Sequence, residues 1–504
     1  MSSSMDIIRL GLAQAIAHWG ACSPDRPAIV SGARVVSWRQ LDREVQDVAD
    51  HLVSLGETRQ RPIGVLATSP IQSIRLCAGV LRMGGQVVLL NPWLPLASLE
   101  AAVADAGCRS VLAEDLVDAG TRVAFPGCQV VQTSEIDRAQ GSARFTGACS
   151  RAGDWIWGIL YSSGTTGTPK GVLHTDMSMM MELISWTLEL SLTRDTVVYV
   201  GRPLCYIGGL VVAMSTLLVG STLVAPKVHT PELYWRLCEE RAVDIALFIP
   251  DQVRELVDAA RASGRPADAP GARTILAMGS TLPLATKLAA PKALGSELIE
   301  AWGNSEGLGT ITTPEDLALR PRSIGRPFLS DMVTILDEDG NQLPPGVIGR
   351  VAGTTDCQFL RYSNRDDLNR TMIKNGLTIS EDLGYRDEDG YFYIAGRAVE
   401  RLMRRGCPIY ATDIEGILIE VPGVQAATVV GVPDARDGQV PVAAVVLRPD
   451  CAKTEAAVLA EANQRLADVQ KLMAVKVVPE LQHNAAGKVI LESVRSLFSA
   501  EPPG

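Results

Sequence analysis

The feature that most constrains the fold is a regular alternation of short apolar runs with amphipathic segments. Apolar residues recur at helical spacing over 37–56 and 70–83, whereas 62–67 and 86–90 are short apolar runs typical of buried strands. Strands that alternate with helices through short links form parallel sheets whose faces the helices cover. The same pattern returns between 243 and 301. The sequence therefore predicts an α/β fold with parallel-rich sheets.

The pattern changes after about residue 320. Short strands over 333–336, 349–352 and 390–395, separated by turns rich in Asp and Gly, predict a β-rich subdomain. The C-terminal part returns to mixed α and β patterns, which predicts a small separate α/β domain. We therefore divide the chain into a large N-terminal domain, 1–396, and a small mobile C-terminal domain, 397–504.

Composition narrows the classes of function. The chain has 504 residues, with 47 Lys+Arg against 57 Asp+Glu and a net charge of −10. This balance argues against a nucleic-acid partner but leaves room for a local nucleotide pocket. The ten cysteines form no C-x-x-C pair, and the N-terminus lacks a basic region followed by a long apolar run. We therefore expect a reduced, cytoplasmic setting.

One long uncharged stretch has to be weighed as a membrane span. Residues 203–226 carry no charge, but glycines, serines, threonines and a proline interrupt the run. A span needs about 20 predominantly apolar residues in succession. We therefore predict a buried helix followed by a buried strand in this stretch, and no membrane span.

The most informative segment for function is the run Tyr161-Ser-Ser-Gly-Thr-Thr-Gly-Thr-Pro-Lys-Gly171. It follows an apolar strand over 155–160. Its glycines allow close backbone approach to a ligand, its hydroxyls and backbone N–H groups are donors, and Lys170 adds a positive charge. These groups suit phosphate oxygens. The spacing differs from that of a Walker A loop.

The loop closely resembles the phosphate-binding motif of the adenylate-forming enzymes, which include acyl- and aryl-CoA synthetases, peptide-synthetase adenylation domains and luciferases. The resemblance extends from about Asp25 to Leu497, and the chain is most similar to a stand-alone acyl- or aryl-CoA synthetase. It implies an N-terminal AMP-binding domain. Further motifs stand in the family's order: Trp302-Gly-Asn-Ser-Glu306, Ser380-Glu-Asp382 followed by Gly396-Arg397, and Asn484-Ala-Ala-Gly-Lys488.

The resemblance implies a two-step reaction that uses ATP, Mg²⁺ and coenzyme A. A carboxylate is a poor electrophile, so its oxygen first attacks the α-phosphorus of ATP, which forms an acyl-adenylate and releases pyrophosphate. A thiol, that of CoA or of a carrier protein's phosphopantetheine, then takes the acyl group. Because negative oxygens crowd together in the first step, the protein must spread their charge over donors and a metal.

The resemblance also assigns roles to single residues. Lys488, Glu306 and Thr165 would be catalytic, with Lys488 bridging the α-phosphate and the acid and the other two holding Mg²⁺. Asp382 and Arg397 would bind the ribose. The other nucleotide contacts would be Ser162, Ser163, Gly164, Thr166, Gly167 and Lys170 at the phosphates, Gly279, Ser280 and Thr281 at the purine, and Trp302, Gly303, Asn304 and Ser305 around the adenine.

The acid pocket is predicted from position and side-chain size. Small and apolar residues beside one aromatic ring suit a compact carboxylic acid, aromatic acids among them. The pocket candidates are Tyr206, Ile207, Gly208, Met278, Gly307 and Leu308.

The sequence departs from the family pattern at several positions. Val399 stands where the hinge carboxylate is usual, Met403 replaces a basic residue, Tyr206 replaces a histidine, and Glu381 replaces a glycine. We therefore expect adenylation to persist while the C-terminal rotation and thioester formation are altered. An arginine cluster beside the hinge suits either phosphopantetheine phosphates or a solvated face: Arg397, Arg401, Arg404 and Arg405.

Several alternatives stay open at the level of sequence. Residues 303–307 spell G-x-S-x-G, the nucleophile motif of α/β-hydrolases, for which His483 is the only later histidine. A non-catalytic nucleotide-binding relative would also fit the altered motifs. The acceptor could be CoA, an acyl-carrier protein thiol or an amine. We expect a stand-alone ligase because no carrier domain follows Lys488; the acid and the oligomeric state stay undetermined.

Overall fold

The computed structural model describes residues 11–115, 125–139, 145–146, 155–162, 170–280, 282–329, 331–397, 402–405, 407–434, 436–448, 451–482 and 489–498. Within these residues the helices are α1 (Leu12–Cys22), α2 (Trp38–Ser54), α3 (Pro70–Met83), α4 (Leu96–Ala106), α5 (Thr133–Arg138), α6 (Asp176–Glu189), α7 (Ile207–Leu218), α8 (Pro231–Arg241), α9 (Pro250–Ser263), α10 (Leu284–Leu294), α11 (Pro314–Leu319), α12 (Asp366–Met372), α13 (Ala411–Ile419), α14 (Glu455–Arg465) and α15 (Leu491–Ser496).

The strands of the described residues fall into four sheets. They are β1 (Pro27–Ser31), β2 (Arg34–Ser37), β3 (Pro62–Leu66), β4 (Gln86–Leu90), β5 (Ser110–Ala113), β6 (Gln129–Gln132), β7 (Ile156–Ser162), β8 (Lys170–Thr175), β9 (Val197–Val200), β10 (Thr222–Val224), β11 (Ile245–Phe248), β12 (Thr274–Met278), β13 (Glu297–Gly303), β14 (Gly309–Ile311), β15 (Arg326–Pro327), β16 (Asp331–Leu336), β17 (Gly349–Thr355), β18 (Arg361–Tyr362), β19 (Ile373–Lys374), β20 (Leu377–Arg386), β21 (Phe392–Arg397), β22 (Leu402–Arg404), β23 (Cys407–Ile409), β24 (Val424–Asp434), β25 (Gly438–Leu447) and β26 (Ala474–Val477).

Two large sheets carry the parallel pairing that the sequence predicts. One has the order β15-β14-β13-β12-β11-β9-β10-β1-β2, and its strands from β13 to β1 all pair in parallel. The other has the order β18-β8-β7-β4-β3-β5-β6, with β7 to β6 in parallel. Antiparallel strands flank both parallel blocks, since β13 pairs with β14 and β7 with β8. The predicted α/β class with parallel-rich sheets is confirmed.

The β-rich section and the C-terminal part form two smaller sheets. Strands β16, β17, β20 and β19 pair antiparallel in that order, and β21 pairs with β20. The C-terminal sheet has the order β23-β22-β25-β24, with β26 added in parallel to β25. Strands β16 and β17 cover the predicted strands at 333–336 and 349–352, and β21 begins two residues later than the strand predicted at 390–395.

The main core lies between the two large sheets and explains the long uncharged stretch. Helix α7 is buried from Gly208 to Leu218, and β10 follows it, as predicted for 203–226. Side chains of α7 share one apolar cluster with residues of α3, β3 and β9. Within the described residues, no helix is both long and apolar enough to cross a bilayer.

Local signals set several boundaries as expected. Ser37 caps α2 by accepting a hydrogen bond from the backbone N–H of Gln40 at 3.3 Å. Helix α3 spans the predicted 70–83, with Pro70 at its first turn and Gly84 at φ 87° directly after it. Proline suits the first turn because its missing N–H has no partner there, and glycine tolerates the left-handed end.

Candidate active site

The candidate site lies at the carboxyl edge of the parallel strands in the larger sheet. Arg202 follows β9, Ile249 follows β11, Gly279 follows β12 and Gly303 ends β13. Because these strands are parallel, the residues that follow them meet at one edge. In open α/β sheets this edge is where ligands bind.

Lys170 provides a positive charge at the start of β8. It lies opposite Ser162 in the antiparallel β7–β8 pair, so the seven residues 163–169 connect the two strands. Its Nζ lies 2.5 Å from Oε1 of Glu381, and the Lys170 side chain is only 10% exposed. The glutamate in the family's glycine position therefore pairs with the predicted phosphate-binding lysine.

Glu306 belongs to the same charged group. The hydroxyl of Tyr362 donates a hydrogen bond to its Oε1 at 2.6 Å. Burial raises the pKa of Glu306, and the negative charge of Glu381 raises it further, while Tyr362 and the charge of Lys170 act in the opposite direction. Strand β18 carries Tyr362 to this place because it pairs with β8.

The turn that presents Glu306 is held on several sides. The Oδ1 of Asn304 accepts from the backbone N–H of Leu308 at 3.0 Å, and Nε2 of His174 lies 2.8 Å from the carbonyl oxygen of Ser305. Burial lowers the pKa of His174 to about 4, so the neutral ring donates its Nε2–H to that carbonyl. Gly307 has φ 103°, and a Cβ there would lie 2.4 Å from the carbonyl oxygen of Cys357. A side chain at 307 would therefore displace the turn.

Asp382 and Trp302 form the next part of the site. The indole Nε1–H of Trp302 donates to Oδ2 of Asp382 at 3.0 Å, and Ser380 Oγ accepts from the Asp382 backbone N–H at 2.7 Å. Arg397 lies opposite Asp382 in the β20–β21 pair. Two predicted ribose residues are thus register partners.

The predicted acid pocket brings together residues from three elements. Tyr206 precedes α7, and its hydroxyl accepts from Nδ2 of Asn91, which follows β4, at 3.1 Å. A Cβ on Gly208 would lie 2.8 Å from the terminal methyl of Met278. Side chains from both large sheets therefore meet around Tyr206, Gly208 and Met278.

The family of the chain follows from comparison with known proteins. The sequence model of the AMP-binding enzyme family matches residues 16–362, and that of the AMP-binding enzyme C-terminal domain matches 413–488. This chain belongs to the AMP-binding enzyme family. The match confirms the resemblance to adenylate-forming enzymes that the motifs indicated.

Known relatives span nearly the whole of this AMP-binding enzyme. The 2-succinylbenzoate–CoA ligase of Bacillus cereus is 27% identical over 477 residues, 94% of this chain and 96% of that one. The long-chain-fatty-acid–CoA ligase FadD13 of Mycobacterium tuberculosis is 26% identical over 482 residues, 93% and 94% of the two chains. The crystal structure of ATP-bound MatB from Rhodopseudomonas palustris superimposes with a TM-score of 0.88 at 23% identity and covers 97% of this chain and 99% of its own, which shows a shared fold.

The hydrolase alternative does not fit the AMP-binding enzyme's structure. A nucleophile elbow needs a strand, a sharp turn and then a helix. Residues 303–307 instead join β13 to β14, which pair antiparallel with Ala301 opposite Ile311. The G-x-S-x-G match is therefore coincidental.

The arginine cluster is also corrected in part. Arg404 is buried and its Nε lies 2.8 Å from Asp437, while Arg405 pairs with the same carboxylate at 2.9 Å. Arg404 also donates to the carbonyl oxygen of Lys471 at 2.8 Å. Arg404 therefore belongs to an ion pair within the C-terminal sheet, whereas Arg405 is 61% exposed, as the solvated-face alternative expects.

Some predicted residues of the AMP-binding enzyme lie outside the described residues, so their roles stay predictions. Three other predicted residues do lie within the described part of the chain: Ile207 begins α7, Leu308 is buried after the Glu306 turn, and Ser280 is exposed after β12. Those outside are Ser163, Gly164, Thr165, Thr166, Gly167, Thr281, Lys488, Val399, Arg401 and His483, together with the side chains of Ser162 and Arg397.

Sequence reasoning missed five residues of this site, among them Asn91, which contacts Tyr206. In the sequence, Glu381 stands out only as a departure from the family pattern, and Arg202 is not singled out by any motif. Tyr362 and His174 carry no local signal, because each reaches the site through strand pairing.

Removing the Tyr362 hydroxyl should move the pH dependence of the enzyme. The hydrogen bond favours ionised Glu306, so Tyr362→Phe raises the pKa of that carboxyl further above its ordinary value. If ionised Glu306 is the active form, the acid limb of the rate profile shifts to higher pH. We expect activity to fall at weakly acidic pH and to stay near wild type at weakly alkaline pH. A uniform loss across the whole pH range of ATP–pyrophosphate exchange would contradict this prediction.

Proposed function

We propose that this protein activates a small carboxylic acid with ATP, releases pyrophosphate, and transfers the acyl group to the thiol of CoA. The observation that carries the proposal is the convergence of Lys170, Glu306 and Asp382, which come from three separate motifs. The family match supports an AMP-forming acid–thiol ligase. Relatives named as CoA ligases support CoA as the acceptor.

The residues perform distinct tasks in the first step. The acid oxygen attacks the α-phosphorus, a new P–O bond forms, and the bond to pyrophosphate breaks. Lys170 neutralises part of the charge on the departing phosphates, and its ion pair with Glu381 breaks when it binds them. Because Glu306 and Glu381 lie beside it, the incoming phosphates need further positive charge.

A magnesium ion fits this requirement. Mg²⁺ is commonly held by one or two carboxylates together with substrate phosphates. In the described residues, no group of three or more His, Cys, Asp or Glu side chains could hold a metal alone. Glu306 is the carboxylate we assign to it, with Thr165 as the second predicted contact. The ion would supply charge stabilisation on the phosphates.

The localisation, the alternative acceptor, the domain division and the role of Lys488 are proposed from the sequence. We place the enzyme in the cytoplasm, and we keep a carrier-protein thiol as the alternative acceptor. We place a division between a large and a small domain near residue 396, which lies between the two segments matched by the family models. Lys488 is assigned to the first step, as the motif implies.

The test separates the two half-reactions. ATP–pyrophosphate exchange is measured over a panel of mono- and dicarboxylic acids, and thioester formation is measured with CoA and with a phosphopantetheinylated carrier protein. We expect acid-dependent exchange, followed by thioester formation with CoA. ATP binding without exchange for any acid would support a non-catalytic relative and overturn the proposal. Exchange with product only on the carrier protein would overturn CoA as the acceptor.

Asp382 offers a second test of the nucleotide site. A hydrogen bond to a charged group contributes about 1.5–3 kcal/mol, so Asp382→Asn should raise the Kd for ATP by about 10- to 100-fold. Isothermal titration measures this with ATP and with 2′,3′-dideoxy-ATP. Wild type should bind the dideoxy nucleotide more weakly than ATP. In Asp382→Asn the two nucleotides should bind with nearly equal affinity, because the partner of the ribose hydroxyls is already changed. Equal discrimination by both proteins would remove Asp382 from the ribose site.

A further inference from the structure

Arg202 projects into the predicted acid pocket. A Cβ on Gly279 would lie 2.7 Å from its Nη1, and a Cβ on Gly208 would lie 3.5 Å from the same atom. Gly279 follows β12 and Gly208 lies in the first turn of α7, so the guanidinium fills the space between two elements. Its Cζ also lies 4.9 Å from the centre of the Tyr206 ring. Stacking on the ring holds the guanidinium in the pocket.

The guanidinium has no counter-charge in the described part of the chain. No carboxylate oxygen of those residues lies within 4.0 Å of its nitrogens. Burial lowers its pKa, and the ionisable groups that act on it are Tyr206 and Cys205. Arginine nevertheless stays charged at neutral pH. By contrast, three other arginines of low exposure each pair with an aspartate: Arg75 with Asp137, Arg82 with Asp42, and Arg404 with Asp437.

The start of α7 adds a second source of positive potential at the same place. This 12-residue helix begins at Ile207, and its N-cap residue Tyr206 makes no capping hydrogen bond through its side chain. The first-turn N–H groups of a helix carry partial positive charge and favour anions. Arg202 and this helix start therefore reinforce each other where burial makes an unpaired charge costly.

We propose that Arg202 and the first turn of α7 bind a second carboxylate on the acid, so that the preferred substrates are dicarboxylic acids. One carboxylate reacts with the α-phosphorus of ATP, and the other stays ionised on the guanidinium. A carboxylate matches the guanidinium fork through two parallel hydrogen bonds. The inference rests on the proposed function, since it concerns the acid that is adenylated.

The experiment compares each diacid with its own monomethyl ester, which keeps one carboxylate for adenylation and loses the other charge. Succinate, glutarate and phthalate are the probes, with benzoate and hexanoate as monocarboxylates, and kcat/KM for pyrophosphate exchange is the readout. Wild type should prefer the best diacid over its half-ester by about tenfold or more. Arg202→Met should bring this ratio to about one by lowering activity on the diacid. Arg202→Lys should give an intermediate ratio.

Arg34→Met is the matched control, because Arg34 lies on β2, the edge strand of the larger sheet, and pairs with Glu44 on α2. It should keep the wild-type ratio. Equal use of diacid and half-ester by wild type, a preference for monocarboxylates, or an unchanged ratio in Arg202→Met would each overturn the inference and leave the proposed function standing. If Arg202→Met lost activity equally with every acid, Arg202 would stabilise the fold or contact the nucleotide, and the inference would also be overturned. No exchange with any acid in wild type would instead overturn the proposed function.

Discussion

Replacement of Lys170 with methionine is expected to lower kcat/KM for ATP in pyrophosphate exchange by about 10²–10³-fold, the loss typical of removing one group that stabilises transition-state charge. The Lys170 side chain is 10% exposed and is a cation beside both Glu381 and Glu306. Without it, a triphosphate would meet two carboxylates and lose its attractive partner. Initial rates of ATP–pyrophosphate exchange, measured over a range of ATP concentrations, test the prediction.

Two further variants separate the possible causes. Lys227→Met removes a lysine that is 47% exposed and lies 3.9 Å from Glu114, so it should change exchange little. Lys170→Met/Glu381→Gln removes the unpaired carboxylate that the single change leaves behind. We expect the double variant to remain slow because the phosphate contact is still missing. Full recovery in the double variant would mean that Lys170 only neutralises Glu381.

Replacement of Lys287 with methionine is expected to cost about 3–5 kcal/mol of stability, since it strands a buried carboxylate. Lys287 on α10 forms an ion pair with Glu300 on β13, and the two side chains are 3% and 2% exposed. Glu300 also accepts from the backbone N–H of Leu282 at 2.9 Å. Because Leu282 follows residues 279–281, which are predicted to contact the purine, the ion pair also fixes the chain beside the proposed nucleotide site. The shift of the urea unfolding midpoint measures the loss.

The comparison variants make this prediction independent of whether the single variant folds well. Lys453→Met breaks a pair with Glu461 whose side chains are 25% and 41% exposed, so it should cost only about 0–1 kcal/mol. Lys287→Met/Glu300→Gln removes both charges and keeps an acceptor for Leu282, and it should recover part of the stability. If Lys287→Met and Lys453→Met shifted the midpoint equally, the buried pair would not be the stabilising element we infer.

Local patterns were sufficient for most of the secondary structure. Helix α3 and strand β4 have the bounds expected from apolar periodicity and from a proline and a glycine at the helix ends. The motif over 161–171 indicated the family, since its glycines, hydroxyls and lysine are contiguous and local chemistry suffices to recognise them. The antiparallel edges, such as β8 and β14, were not predicted, because pairing partners depend on residues far apart in the chain.

The sequence by itself determined the α/β class, the family and the residues that suit a nucleotide, because each depends on residue type and spacing along the chain. Only the tertiary structure decided that Glu381 pairs with Lys170, that Tyr362 binds Glu306, and that Arg202 lies beside Tyr206 and Gly208 of the predicted acid pocket. The physical reason is distance in sequence. Lys170 and Glu381 are 211 residues apart in the chain. They lie on β8 and β20, which belong to different sheets, so only the packing of these sheets brings their charges together.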